Sequence, residues 1–370
     1  MIDARITRLT VRAYSVPTLT DAETDGTACW DSTGVLIVEV EAGGKTGLGY
    51  AYADAAAAGV IQHTLWPLLD GQNPLDTACH FWTMAGAVRN LGWPGVAAGA
   101  ISAVDVALHD LKARLLDISL VQMLGGARES VLAYGSGGFT SYSVQELEKQ
   151  LGGWAQQGLK AVKMKIGSRP EDDLNRVTAA RAAIGNDVAL FVDANGAYSR
   201  KQALGFAEKF ADLNVSWFEE PVSSDDLAGL RLLRDRGPGG MQIAAGEYGY
   251  TPTYFHHMLA AGAVDTLQAD GTRCGGASGF LNAAAQAQGA GLPLSAHTAP
   301  ALHASLASAL PNVVNVEYFF DHIRIEDMFF DGVPELRDGF LYPDRSQPGL
   351  GLTFKAADAQ PYLQTEWRSS

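Results

Sequence analysis

Ala161-Val162-Lys163-Met164-Lys165 sets two lysines two residues apart in a short apolar run and closes on the second. It reads as a strand with a reactive group at its end, and the pattern repeats down the chain. Asp193 closes Val188-Ala189-Leu190-Phe191-Val192, and Glu219 closes Val215-Ser216-Trp217-Phe218. Glu247 closes Ile243-Ala244-Ala245-Gly246, Asp270 follows Thr266-Leu267-Gln268-Ala269, and His297 follows Leu292-Pro293-Leu294-Ser295-Ala296. From Lys165 onward the gaps are 28, 26, 28, 23 and 27 residues. One strand, one helix and their turns take roughly 30 residues of a (β/α)₈ barrel, because the whole barrel takes about 250. The spacing predicts one reactive group at the C-terminal end of each successive parallel strand, the rim where barrel enzymes carry their chemistry.

Working outward, predicted strands centre on 131–135, 161–165, 188–193, 214–218, 241–245, 264–268, 292–295 and 313–317, with helical patterns such as 171–184 and 199–211 between them. This alternation predicts a barrel of the α/β class. Ahead of it, residues 5–15 and 34–52 read as an antiparallel meander, and Ala42-Gly43-Gly44-Lys45 reads as a turn. The polar stretch 18–27 has a length that signals function or mobility. Residues 55–125 read as mainly helical, with Ile101, Val104, Leu108, Leu111 and Leu115 at helical spacing. The expected organisation is a capping domain over 1–125, a catalytic barrel over 126–325, and a turn-rich segment over 326–370 that returns to the cap.

Composition bounds the function. A chain of 370 residues suits about two domains. A hydrophobic content of 47% with 18% charged residues argues against disorder. A net charge of −14 without a Lys/Arg cluster argues against nucleic acid and acidic membrane surfaces as partners. Cys29, Cys79 and Cys274 are odd in number and far apart, which suits a reducing compartment. The first residues lack the order of a signal peptide, and no apolar run is long enough for a bilayer, so a cytoplasmic protein is expected.

Three residue groups carry the chemistry. Asp193, Glu219 and Glu247 fall on successive strands about 4.8 Å apart, so their ends can converge. Three carboxylates so close repel one another unless a hard divalent cation joins them, and all-oxygen ligation suits Mg²⁺. Lys163 and Lys165 face the same side of one strand; pointed inward, near each other and near a divalent cation, each disfavours protonation of the other, which draws a lysine pKa down toward a general base. Asp270 and His297 end neighbouring strands, and a carboxylate on one imidazole nitrogen fixes the tautomer and raises the basicity of the other. Glu317 can hydrogen-bond substrate or act as an acid, and Asn195 is a candidate polar contact. Trp30 could line the pocket, and a core role for it is as much expected. His63, His80 and His303 are expected to be structural.

Together these stretches resemble the enolase superfamily, specifically the mandelate racemase subgroup of the mandelate racemase/muconate lactonizing enzyme family. The resemblance covers essentially the whole chain. It is carried by Val162-Lys163-Met164-Lys165-Ile166-Gly167, Val192-Asp193-Ala194-Asn195, Trp217-Phe218-Glu219-Glu220-Pro221, Ala245-Gly246-Glu247, Gln268-Ala269-Asp270-Gly271-Thr272-Arg273-Cys274-Gly275-Gly276 and Ser295-Ala296-His297. The helix from Ala103 to Lys112 with Leu124-Gly125-Gly126 is similar to the family's lead-in to the barrel. The resemblance implies a modified (β/α)₇β barrel beneath an α+β cap completed by the C-terminal tail. It implies Mg²⁺ held by Asp193, Glu219 and Glu247, with the first glutamate of Glu219-Glu220-Pro221 at the metal. Lys165 would be the base on one face of the substrate, and His297, paired with Asp270, would serve the other. Lys163 would tune Lys165 and contact the substrate carboxylate, and Glu317 would bond the developing oxyanion. Glu as the third ligand, and His where a second Lys could stand, favour this subgroup over the muconate-cycloisomerase-like one.

The shared chemistry is removal of a proton α to a carboxylate through an ene-diolate. The first expectation is dehydration of a sugar acid or related hydroxy acid. Racemisation or epimerisation of an α-substituted carboxylate is the second, with cycloisomerisation beside it. Asp21, Glu23 and Asp25 of the cap loop could instead meet a cationic amino-acid derivative, and a barrel that binds metal and ligand without turnover is the alternative from another class. The loop 16–33 and the segment 52–57 are expected to select the substrate, and a homo-oligomer is expected because relatives commonly assemble in multiples of dimers.

Overall fold

The β-branched runs near the N-terminus form the meander in a computed structural model that describes residues 4–19 and 22–369. Strands β1 (Ile6–Pro17), β2 (Ser32–Ala42) and β3 (Lys45–Ala51) pair antiparallel in that order. Helix α1 (Val96–Leu115) lies across the sheet. It rests directly on β3 because positions 47 and 49 are glycine: a Cβ there would sit 2.3 and 2.2 Å from the carbonyl oxygens of Ala107 and Ala103. Leu9, Val11, Leu36 and Val38 meet Ile101, Val104, Leu108 and Leu111 in this core. Each such side chain contributes about 1.5–3 kcal/mol by leaving water.

The loop after β1 is built. Glu23–Thr24 pairs with Cys29–Trp30, and the Asp25 carboxylate accepts from the Thr27 and Ala28 N–H groups at 2.6 and 2.7 Å. Glu23 is fully buried, with Tyr142 and Asp321 as neighbours, so it faces away from any ligand; Asp21 lies outside the described residues.

The barrel strands are β4 (Val131–Gly137), β5 (Ala161–Lys165), β6 (Ala189–Asp193), β7 (Val215–Glu219), β8 (Gln242–Ala245), β9 (Thr266–Ala269), β10 (Leu294–Ala296) and β11 (Val313–Phe319). Each pairs in parallel with the next, and β11 pairs with β4 to close the ring. Every predicted barrel strand overlaps one of these. Alternation decides what each residue does. Val162, Met164, Leu190, Val192 and Phe218 turn outward to the helical shell. Ala161, Phe191 and Trp217 turn inward with Tyr134 and Ala244 to plug the barrel. Lys163, Lys165, Asp193 and Glu219 share that inward phase, one layer nearer the rim, and Lys163 Nζ lies 5.5 Å from the centre of the Tyr134 ring.

Helix α2 (Phe320–Phe329) follows β11, and β12 (Leu363–Arg368) pairs antiparallel with β1, giving the cap sheet the order β12-β1-β2-β3. Buried polar staples fix cap to barrel. Asp105 of α1 accepts from Ser278 N–H and Oγ at 2.9 and 2.7 Å. Asp110 accepts from Leu48 and Leu350 N–H at 2.7 and 2.6 Å, and Tyr50 Oη donates to Glu326 at 2.6 Å.

Candidate active site

The register of the ring brings the reactive groups together. Lys165 is paired with Asp193 across β5 and β6, and Asp193 with Glu219 across β6 and β7. Glu247 sits two residues past β8, where the chain turns at Gly246 with φ of +138°. A Cβ at 246 would lie 2.1 Å from the Gln268 carbonyl oxygen, so glycine is what lets the turn carry Glu247 inward. Oxygens of Asp193, Glu219 and Glu247 all lie within 4.8 Å of one another.

Each carboxylate is held from behind. Lys163, fully buried, pairs with Glu219, and lies 2.9 Å from Glu317 and 3.5 Å from Asp193. Trp217 Nε1 donates to Glu219 at 2.9 Å, and Asn195 N–H donates to Asp193 at 2.9 Å. Lys165 Nζ lies 2.5 Å from Asp193. The sequence reading has Lys163 pulling the Lys165 pKa down. In the structure burial is the largest influence on Lys165 and opposes its charge, but Asp193, Glu247 and Glu317 together outweigh burial and Lys163 and raise its pKa. The reason is geometric: Lys163 spends its charge on Glu219 and Glu317, whereas Lys165 abuts a carboxylate.

On the far side of the ring, His297 Nδ1 lies 2.9 Å from Asp270, whose other oxygen accepts from Thr272 N–H at 2.7 Å. His297 Nε2 is 3.0 Å from Glu247 and 3.7 Å from Glu317. Burial opposes its charge, yet Glu247, Glu317 and Asp270 together raise its pKa to about 9. Glu317 accepts from Ser136 Oγ at 2.5 Å and from Thr298 N–H at 3.1 Å. Burial pushes Glu317 up, but Lys163 and His297 hold it down at about 2. His303 is structural, bonded to Gly271 N–H and the Thr298 carbonyl.

The donor set fits a hard divalent cation. Six buried carboxylates, Asp193, Glu219, Glu220, Glu247, Asp270 and Glu317, stand against Lys163, Lys165, Arg273 and at most one charge on His297. The negative excess shows in the acids themselves. Burial and Asp193 raise Glu219 to about 8, and burial and Glu247 raise Glu220 well above the carboxylate range. Glu247 Oε2 and Asn195 Oδ1 are buried without a hydrogen bond, His297 approaching the former without the angle for one. All-oxygen donors with such an excess are what Mg²⁺ takes.

A cavity of about 630 Å³ opens on this cluster, within the range of small-molecule sites. Lys165, Asn195, Glu247, Asp270, His297 and Glu317 reach its wall; Lys163 does not, being behind Glu219 and Glu317. Trp30 and the segment 52–55 also line it. Sequence reasoning assigned no role to Arg273, Tyr248 or His322, which are wall residues too. Position at the rim is the signal that marks them: Tyr248 and Arg273 lie in strand-to-helix connections, and His322 lies in the first turn of α2, five residues past Glu317.

Two family descriptions match. The enolase C-terminal domain-like model covers residues 146–359, and the mandelate racemase/muconate lactonizing enzyme N-terminal domain covers 9–125. The chain belongs to the mandelate racemase/muconate lactonizing enzyme family. Within this family it is 31% identical over 326 residues to L-talarate/galactarate dehydratase of Salmonella typhimurium LT2, covering 86% of this chain and 80% of that one. A mandelate racemase/muconate lactonizing enzyme-like protein from Rubrobacter xylanophilus superposes with a TM-score of 0.95 at 50% identity, over 97% of this chain and 100% of that one. L-Talarate dehydratase from Polaromonas sp. JS666, complexed with Mg and L-glucarate, superposes with a TM-score of 0.90 at 31% identity, over the whole of both chains. Among the described residues no helix is long and apolar enough to cross a membrane.

Proposed function

We propose that this family member is a Mg²⁺-dependent hydro-lyase that dehydrates a sugar acid or related hydroxy acid. The observation that carries the reading is the single cavity bordered by Lys165, by the His297–Asp270 pair and by a carboxylate triad whose oxygens lie within 4.8 Å. The likeness to talarate dehydratases supports the choice of reaction.

In this reading Asp193, Glu219 and Glu247 hold Mg²⁺. Held there, the ion would supply electrophilic stabilisation of the negative charge that develops on the substrate carboxylate. Lys165 takes the α-proton from one face. Lys163, from behind, holds Glu219 and Glu317 in place and acts on the substrate through them. Glu317, anchored by Ser136 and Thr298, would bond the oxyanion side of the ene-diolate as the protonated acid, since an ionised carboxylate has no proton to donate. Asn195 offers its unpaired Oδ1 to a substrate hydroxyl. His297, oriented by Asp270, gives its proton to the β-hydroxyl; the Cβ–O bond breaks with its electron pair on oxygen, and water departs. The remaining enol becomes a 2-keto-3-deoxy acid.

One feature favours a second reading. Lys165 and His297 both reach the cavity, so a substrate without a β-hydroxyl could lose a proton to one and regain it from the other, as in racemisation. A panel of sugar acids incubated with Mg²⁺ in D₂O separates the cases. Keto-acid release supports dehydration. α-Deuterium in both epimers without keto acid supports racemisation, and neither signal across the panel supports a binding protein without turnover.

We also propose a cytoplasmic homo-oligomer. Three free cysteines suit a reducing compartment. Trp82, which packs edge-on against Trp93 at 6.3 Å, stays 55% exposed on the cap and suits a subunit contact. Light scattering at 39.2 kDa, the mass of one chain, would remove the oligomer.

A further inference from the structure

The cavity has two walls of different origin. The barrel rim supplies its only lysine and arginine among the described residues, Lys165 and Arg273. The opposite wall comes from the cap, with Asp25, Trp30, Thr33, Tyr52 and Asp54, and from His322 of α2. Among the described residues no Lys or Arg stands on that wall, and positions 1–3, 20–21 and 370 contain none.

His322 is built as a hydrogen-bond donor. Its ring stacks on Tyr52 with centroids 3.3 Å apart and planes 10° from parallel. Ala299 N–H donates to its Nδ1 at 3.2 Å, which assigns the neutral ring's own N–H to Nε2. Burial holds the ring well below its ordinary pKa, so it stays neutral. The side chain is 7% exposed, lines the cavity, and has no hydrogen bond at Nε2 among the described residues. Asp25 spends one carboxylate oxygen on Thr27 and Ala28, and the other makes no hydrogen bond among the described residues. Asp54 spends one on Ala56 N–H.

An N–H donor, a threonine hydroxyl and two carboxylate acceptors suit groups that both donate and accept, which hydroxyls do. A second carboxylate on this wall would meet Asp25 and Asp54 with no cation to offset them. A cationic tail would satisfy the acids but leave the His322 N–H pointing at a like partial charge.

We infer that the substrate is a monocarboxylic sugar acid whose far end is an uncharged polyol, held by His322, Thr33 and Asp25, and not the dicarboxylic acid of the same skeleton. This rests on the dehydration reading, and the test separates the two. Keto-acid formation is measured for matched pairs that differ only at the terminal carbon, galactonate against galactarate and gluconate against glucarate. The monoacids are expected to lead in kcat/KM by about tenfold or more. Asp54→Asn, an exposed change that keeps the acceptor for Ala56, narrows the gap about threefold. His322→Gln raises KM for the monoacid about fivefold while kcat changes less, as loss of one neutral hydrogen bond requires.

Diacids turned over as well as monoacids overturn the inference and leave dehydration standing. Preferred turnover of N-acyl arginine or lysine also overturns it, by assigning the acids to a cation. If neither sugar-acid series gives keto acid or α-deuterium, the dehydration reading falls and takes the inference with it.

Discussion

Asp193→Asn puts two opposite expectations in one experiment. Each pair among Asp193, Glu219 and Glu247, with oxygens no farther than 4.8 Å apart, repels by about 3.5 kcal/mol or more at an effective dielectric of 20. Neutralising Asp193 relieves the pair with Glu247 and, wherever Glu219 is ionised, a second pair, at most about 7 kcal/mol in all. It also removes the partner of Lys165 at 2.5 Å and of Lys163 at 3.5 Å, worth about 7 and 5 kcal/mol on the same scale. The balance is a net loss, and the amide oxygen still accepts one hydrogen bond, so the metal-free variant should be less stable by about 2–3 kcal/mol. Mg²⁺ affinity should fall at least about a hundredfold, because the amide keeps the oxygen without its charge. Urea denaturation in chelator gives the first quantity, and titration calorimetry with Mg²⁺ gives the second. Unchanged Mg²⁺ affinity refutes the ligand role. A variant more stable than the parent in chelator refutes the charge arithmetic, since it would mean the carboxylates repel without the lysines answering them.

Other outcomes follow from the same geometry. Lys165→Ala should abolish α-proton exchange for one configuration of a substrate and leave some for the other, so equal residual exchange would contradict one-faced action. Gly246→Ala should lower activity at least about tenfold through displaced Glu247, because its Cβ would meet the Gln268 carbonyl at 2.1 Å; circular dichroism should show the fold kept, and full activity would remove the argument. Asp105→Ala leaves two Ser278 donors without an acceptor and should cost about 2–4 kcal/mol in urea denaturation. Glu23, buried beside Asp321, Tyr142 and Arg324, is pushed up to about 9 by burial and Asp321. A carboxyl whose folded pKa exceeds its unfolded value loses stability as pH climbs from the ordinary carboxylate range to that value. Glu23→Gln should therefore flatten the fall in Tm between pH 6 and 9, and parallel profiles would count against it.

The barrel was legible because strand alternation and reactive rim residues coincide in the sequence: each of Lys165, Asp193 and Glu219 is the last residue of its strand. Parallel register then needs nothing more to bring them together. The cap loop was less legible. Glu23 and Asp25 look alike in sequence, but the Glu23–Thr24 and Cys29–Trp30 pairing buries one and leaves the other on the cavity wall. Spacing places two lysines on one face but does not say which acid each meets: Lys163 leans toward Glu219 and Glu317, leaving Asp193 to Lys165. His322 went unread because its role depends on Tyr52, which reaches it from the other domain.

The pairing of β12 with β1 orders events in the cell. A ribosome delivers β1 at the start and its edge partner only after the whole barrel has emerged, since Thr10 waits for Arg368. During translation the β1 edge of the meander stays open, a place where nascent chains can mispair. Thr33 and Gly34 of that sheet line the cavity. Chains stalled or clipped before residue 363 would carry a full complement of rim residues beneath a cap sheet that lacks one edge strand.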